Sequence, residues 1–140
     1  MASVLYNSFK MALMRGQIDF DNDSFKAMLV TSAYAPVVDT DDFRNDVTNE
    51  VIGTGYVAGG DDIGCTLTLD TINDKAVVTF DDVEWPTSTI TARGAVIYQN
   101  VGSSATDRLV GYIDFGADKS SVGGTFTLTV TAPLELRTAV

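Results

Sequence analysis

The sequence predicts a mainly β protein, an antiparallel β-sandwich or jelly-roll-like domain with one N-terminal α-helix. Three observations lead there. From residue 24 onward about seven short apolar or alternating runs follow one another, each bounded by Gly, Pro, Asn or Asp. Two of these runs, "CTLTL" and "TFTLTVT", alternate threonine with apolar residues, the period of a strand with one buried and one wet face. No alternation of strand with helix exists to build a parallel sheet. The 140 residues suit one compact domain, 1–140, with no internal repeat or linker.

Taken in order, "SVLYNSFKMALMRG" reads as a helix over about 3–15. Ser3 is placed to cap it, and Leu5, Phe9, Ala12 and Leu13 fall on one face. Lys10 and Arg15 lie towards the negative end of the helix dipole, and Gly16 can close the helix in a left-handed conformation. "SFKAMLVTSAY" is a mostly apolar run, the pattern of a strand covered on both sides, and Pro36 ends it. A long acidic connection follows, then the glycine-punctuated "VIGTGYVAGGDD". "CTLTLD" and "AVVTF" read as a hairpin turning at Asn73-Asp74. "STITARGAVIYQN" is a further strand with Ile90, Ala92, Gly94, Val96 and Tyr98 on one face. After the loop "NVGSSATD" come the strand "RLVGYIDF", a turn at "GADKSSVGG", and "TFTLTVTAPLEL" with Phe126, Leu128 and Val130 on one face.

Composition narrows the function. With 19 acidic and 9 basic residues the net charge is −10, which repels phosphate, so neither a nucleic acid nor an anionic membrane is expected as a partner. No apolar run approaches the roughly 20 residues of a membrane helix. Lys10 and Arg15 interrupt the apolar residues that a signal peptide would need, so synthesis in the cytoplasm is the expectation. There is no histidine, which removes the commonest general base and metal ligand. The single Cys65 begins a strand and has no His to activate it, as expected of a structural cysteine.

Four stretches deserve testing as sites. Asp19, Asp21 and Asp23 alternate like the start of a calcium loop. The glycine required at the sixth position and the glutamate at the twelfth are Ser24 and Val30, so a solvated turn is expected and no metal. The acidic run 39–50 has the length of a functional loop, with Phe43 and Val47 as its anchors. "GTGYVAGG" lacks the strand–turn–helix context and the Lys-Ser/Thr of phosphate loops, and Asp61-Asp62 would repel phosphate. Its glycines are expected to permit tight turns or close packing. Carboxylate pairs such as Asp81 with Glu84 could do acid–base chemistry, and Trp85 beside them could be a sugar platform, but a core or interface aromatic is the expected role. No nucleophile elbow is present, so catalytic residues and cofactor are both expected to be none.

The stretches "LYNSFKMALMRGQIDFDNDSFKAMLVTSAYAP", "DFRNDVTNEVIGTGYVAGG" and "ITARGAVIYQNVGSSATDRLVGYIDFG" resemble a group of small tailed-bacteriophage virion structural proteins. The resemblance covers most of the chain and carries no active-site motif. It implies a capsid decoration (cement) protein that binds the major capsid protein in the virion, with a head–tail connector or tail component as the alternative. Decoration proteins commonly oligomerise, often as trimers, so a homo-oligomer is implied. A carbohydrate-binding module or small glycan-active enzyme, resting on Trp85, is the alternative of another class. The candidate interface residues are Tyr6, Phe9, Met11 and Met14. The stripe Leu5, Phe9, Ala12 and Leu13 is expected to pack on the chain's own sheet, with Tyr6, Met11 and Met14 widening it for assembly.

Overall fold

The computed structural model describes residues 3–138. The chain is mainly β, with two antiparallel sheets and one helix near the N-terminus. The helix is shorter than the sequence pattern implies. Val4–Leu5 form a short strand, β1, and helix α1 spans only Asn7–Met14. Tertiary pairing overrides helical propensity here, because Val4 and Leu5 pair with Tyr112 and Gly111. Ser3 therefore caps no helix, and its Oγ accepts the Asp114 amide instead. At the other end Gly16 takes the expected left-handed conformation, φ 69°, and closes the helix.

The remaining strands are β2 (Phe25–Val30), β3 (Asp61–Asp62), β4 (Cys65–Asp70), β5 (Lys75–Phe80), β6 (Val83–Gln99), β7 (Leu109–Leu128) and β8 (Leu134–Arg137). The larger sheet has the order β1-β7-β6-β2-β3 and the smaller β4-β5-β8. β5 with β6, and β7 with β8, form one long bent ribbon. The ladder Val78↔Leu134 resumes at Val83↔Leu128, with nearly the same register on both sides of the break. The ribbon thus supplies the centre of both sheets, and β4 joins its folded-over end through the hairpin β4–β5. That hairpin turns where expected, with Asp74 at φ 53° and the Asp70 carboxylate accepting the Ile72 and Asn73 amides.

Two strand expectations need correction. "GADKSSVGG" is no turn between strands but lies inside β7, which runs unbroken for 20 residues. Between the pairs Gly94↔Asp114 and Ala92↔Lys119 the extra residues 115–118 bulge outward. The bulge is held at its base, where Asp114 accepts from Arg93 Nε (3.0 Å) and from the Gly116 amide (2.9 Å). The second correction concerns "CTLTL", whose aliphatic face is open: Leu67 is 40% and Leu69 75% exposed. By contrast, Phe126 and Leu128 of "TFTLTVT" are buried and Val130 is partly so.

The core lies between the sheets and under α1. β2 is buried on both faces, as its apolar run implies. Phe20 joins the layers, packing on Phe9 of α1, Phe25 of β2 and Phe80 of β5 with ring centroids 5.0–6.2 Å apart. Ile90, Ala92, Gly94, Val96 and Tyr98 share a buried face of β6. Beyond Gly94 the opposite face is buried as well, through Ala95, Ile97 and Gln99.

Candidate functional site

The aspartates that resemble a calcium loop bind their own turn. Asp19 Oδ1 accepts the Asp21 amide (2.9 Å) and its Oδ2 the Asn22 amide side chain (2.8 Å). Asp23 Oδ2 accepts the Asp19 amide and the buried Gln99 side chain, each at 2.7 Å. Hydrogen bonds from Asn22 and Asp21 hold the Asp19 carboxyl below its ordinary range. Among the described residues no three His, Cys, Asp or Glu side chains converge as metal ligands.

The acidic run 39–50 is fastened by polar anchors. Asp41 is buried and accepts from the Tyr34 hydroxyl (3.0 Å) and the Val37 amide (2.9 Å), while Tyr34 bonds the Tyr6 hydroxyl at 2.7 Å. Arg44 donates from Nε to Asp107 Oδ2 at 2.8 Å and lies 5.2 Å from the centre of the Tyr98 ring. The Asp107 side chain is fully buried, and its other oxygen accepts the Val101, Gly102 and Ser103 amides. The expected anchors Phe43 and Val47 are only half-buried. These two knots join loop 39–50 to Tyr6 ahead of α1, to Tyr98 of β6 and to the 100–108 loop. The pattern gives little warning of them, because a buried Asp and a solvated one look alike in an acidic sequence.

The glycine-rich segment is a packing device. A side chain at Gly60 (φ 75°) would put its Cβ 1.8 Å from the Ala27 carbonyl oxygen, and one at Gly53 would lie 2.5 Å from that of Thr89. Both sites let the segment lie flat across β2 and β6. Glu50 completes the seal by accepting the Tyr56 hydroxyl (2.7 Å) and the Gly59 amide (2.6 Å). Burial pushes the Tyr6, Tyr34 and Tyr56 hydroxyls far up and Tyr98 to about 12, so all remain neutral hydrogen-bonding groups.

Trp85 is only 4% exposed, packed against Tyr56 and Phe126. It offers no face to a sugar, so the carbohydrate reading loses its platform. Asp81 and Glu84 remain exposed beside it. Burial raises the Cys65 thiol, which donates to the Phe20 carbonyl. Of the candidate interface residues, Tyr6 and Phe9 must be withdrawn from the surface: they are 0% and 2% exposed and sit in the chain's own core. Phe9 thus packs within the chain as the apolar stripe implied, while Leu5 is 37% exposed. Met11 and Met14 are exposed, Met14 at 88%.

What the surface does offer is apolar relief. Leu69, Ile72 and Leu136 project from the small sheet, and Ile52, Val57 and Val122 from the segments around the ribbon. A groove of about 470 Å³ separates the small sheet from the end of α1, lined by Leu13, Ile18, Phe20, Leu67, Ala76 and Leu136. A second cleft of about 390 Å³ lies between β1 and the 129–135 segment. Comparison of the chain with protein families, with curated proteins and with solved structures finds no match.

Proposed function

We propose that this chain is a tailed-bacteriophage virion structural protein, a decoration protein that stabilises the capsid by binding the major capsid protein. The resemblance of most of the sequence to such proteins carries the reading. Its surface supports the reading: large apolar side chains stand out in several places on an otherwise acidic domain, as they do on proteins made to be covered by others. Several of the acidic side chains, among them Asp23, Asp41, Glu50 and Asp107, are engaged in holding loops. In this role the chain works as a homo-oligomer, where repeated modest contacts gain strength through avidity. Electron microscopy of the parent virion tests the proposal. Density for the chain over the capsid shell is expected; density confined to the tail would replace the decoration role with that of a connector or tail component.

A further inference from the structure

The outer edge of β2 is closed mainly by a strap. β3 pairs with Lys26 and Ala27 only. Beyond them the segment 50–60 lies along the edge. The Val51 amide donates to the Leu29 carbonyl, and the Leu29 amide donates to the Tyr56 hydroxyl, each at 2.9 Å. Farther on, the Thr54 carbonyl accepts the Thr89 amide of β6, also at 2.9 Å. The strap buries little of itself. Val51 lies in the core and Tyr56 is half-buried, while Ile52 and Val57 stand 97% and 75% exposed. Gly55, Gly59 and Gly60 have φ of 80°, 93° and 75°, so its path uses backbone that few other residues adopt. A segment with few apolar contacts, held by polar bonds, is the kind that opens locally while the rest of a fold stays shut.

One carboxylate ties this strap together. Glu50 Oε1 accepts both the Tyr56 hydroxyl (2.7 Å) and the Gly59 amide (2.6 Å), and the Gly59 carbonyl in turn accepts the Tyr98 hydroxyl of β6 (2.6 Å). The bond that sets Tyr56 over Leu29 and the bond that sets Gly59 against Tyr98 therefore meet on a single oxygen. The other acceptors in the set, the carbonyls of Leu29, Thr54 and Gly59 and the Tyr56 hydroxyl, are neutral. Glu50 carries the one charge among them that a proton removes. Facing it are two neutral phenols, Tyr56 of the strap and Tyr98 of β6. Behind Tyr98 stand Arg44, committed to Asp107, and Asp62, paired with Lys26 of β2. Among the described residues no cation pairs with Glu50, so hydrogen bonds alone balance its charge. Bonds to an ionised acceptor are stronger, by roughly twofold, than bonds between neutral groups.

We infer that Glu50 is a proton-sensitive latch: ionised, it holds segment 50–60 shut over β2 and β6, and protonated, it lets the strap open. Opening uncovers the Leu29 edge of β2 and the Trp85 ring that packs on Tyr56. A neutral carboxyl still accepts both bonds, as an amide does, but holds them less tightly. With two bonds weakened together, the open population rises roughly 10- to 100-fold. The rest of the fold has no part in the change, because the β6–β7 ladder is made of backbone bonds that carry no titrating group. The latch works wherever the chain resides, so it stands or falls apart from the proposed virion role.

Hydrogen exchange of the full chain, expressed as protection relative to a free amide, tests the latch. Glu50→Gln copies its protonated form. At neutral pH the variant should lose protection at the Leu29 and Gly59 amides by roughly 10- to 100-fold. Its β6–β7 ladder amides should match wild type, which shows that it is folded. On acidification from about pH 7 to about pH 3.5, the span over which carboxylates take up protons, wild-type protection at both amides should fall to the level of the variant. The variant itself should not change, and iodide quenching of Trp85 should follow the same course. Asp107→Asn, which alters the neighbouring knot, should leave the wild-type fall in place. Tyr56→Phe keeps the ring and removes one of the two bonds, so it should expose Leu29 at every pH and leave Gly59 under acid control. Equal protection in wild type and Glu50→Gln at neutral pH overturns the inference. So does a fall with acid that persists in Glu50→Gln, disappears in Asp107→Asn or is shared by the ladder amides, and so does a wild-type value that does not move with acid.

Discussion

Asp107 is the residue whose loss should be felt most for its size. Its carboxylate is fully buried and engages Arg44 at 2.8 Å and three loop amides at 2.8–3.3 Å. Asp107→Ala leaves those amides without their acceptor and strips the partly buried Arg44 of its counter-charge. Breaking a buried ion pair from one side costs about 3–5 kcal/mol. Asp107→Asn can still accept from the amides but cannot balance Arg44, so roughly half that loss is expected, a charged hydrogen bond being worth about 1.5–3 kcal/mol. Urea denaturation of both variants, of Arg44→Ala and of the double mutant would measure the coupling. The pH dependence gives an independent check. Burial pushes the Asp107 carboxyl up, but Arg44 and the amides outweigh it, so the net shift is downward. A carboxyl held low in the folded state contributes stability that is complete above its unfolded value, about 3.9, and is lost as pH falls through the folded value. Wild type should therefore lose stability below about pH 4 more steeply than Asp107→Asn. A cost under about 1 kcal/mol for Asp107→Ala, or parallel acid profiles for the two proteins, would refute the reasoning.

Phe9→Ala should cost about 3–5 kcal/mol in folding free energy, since Phe9 is buried against Phe20; a variant that melts like wild type but loses its oligomer would make α1 an assembly arm instead. Gly60→Ala should unfold the chain or shift its melting sharply, because the new methyl collides with the Ala27 carbonyl; normal melting would show that the loop packs otherwise. Melting with calcium and with chelator should agree within a few degrees, the Asp19 and Asp23 carboxylates being occupied by their own turn. The single Trp85 should fluoresce as a buried indole, resist iodide quenching and ignore added sugars; a sugar-dependent shift would revive a glycan site.

Much of this architecture is legible because local pattern and tertiary environment agree. The run in β2 is apolar throughout and is buried on both faces. The Asn73-Asp74 turn and the Gly16 helix stop follow from backbone chemistry that no neighbour overrides. The errors fall where a distant partner decides. Val4 and Leu5 have helical company in sequence, yet β7 offers them a ladder. "GADKSSVGG" has the composition of a turn, but β6 continues alongside it, and the surplus residues are shed as a bulge. "CTLTL" alternates as a half-buried strand should, which says that one face is apolar and cannot say that this chain covers it. The Tyr6–Tyr34–Asp41 and Arg44–Asp107 knots are invisible for a similar reason, since their members are far apart in sequence and ordinary one by one.

The placement of charge ties these features together. Carboxylates that could have formed a site are instead used one at a time: Asp23 on Gln99, Asp41 on Tyr34, Glu50 on Tyr56 and Asp107 on Arg44. Each ties a loop to a strand or to a second loop, so the long irregular connections are held by specific polar bonds. Much of the remaining acid faces water and keeps copies apart wherever they meet at random.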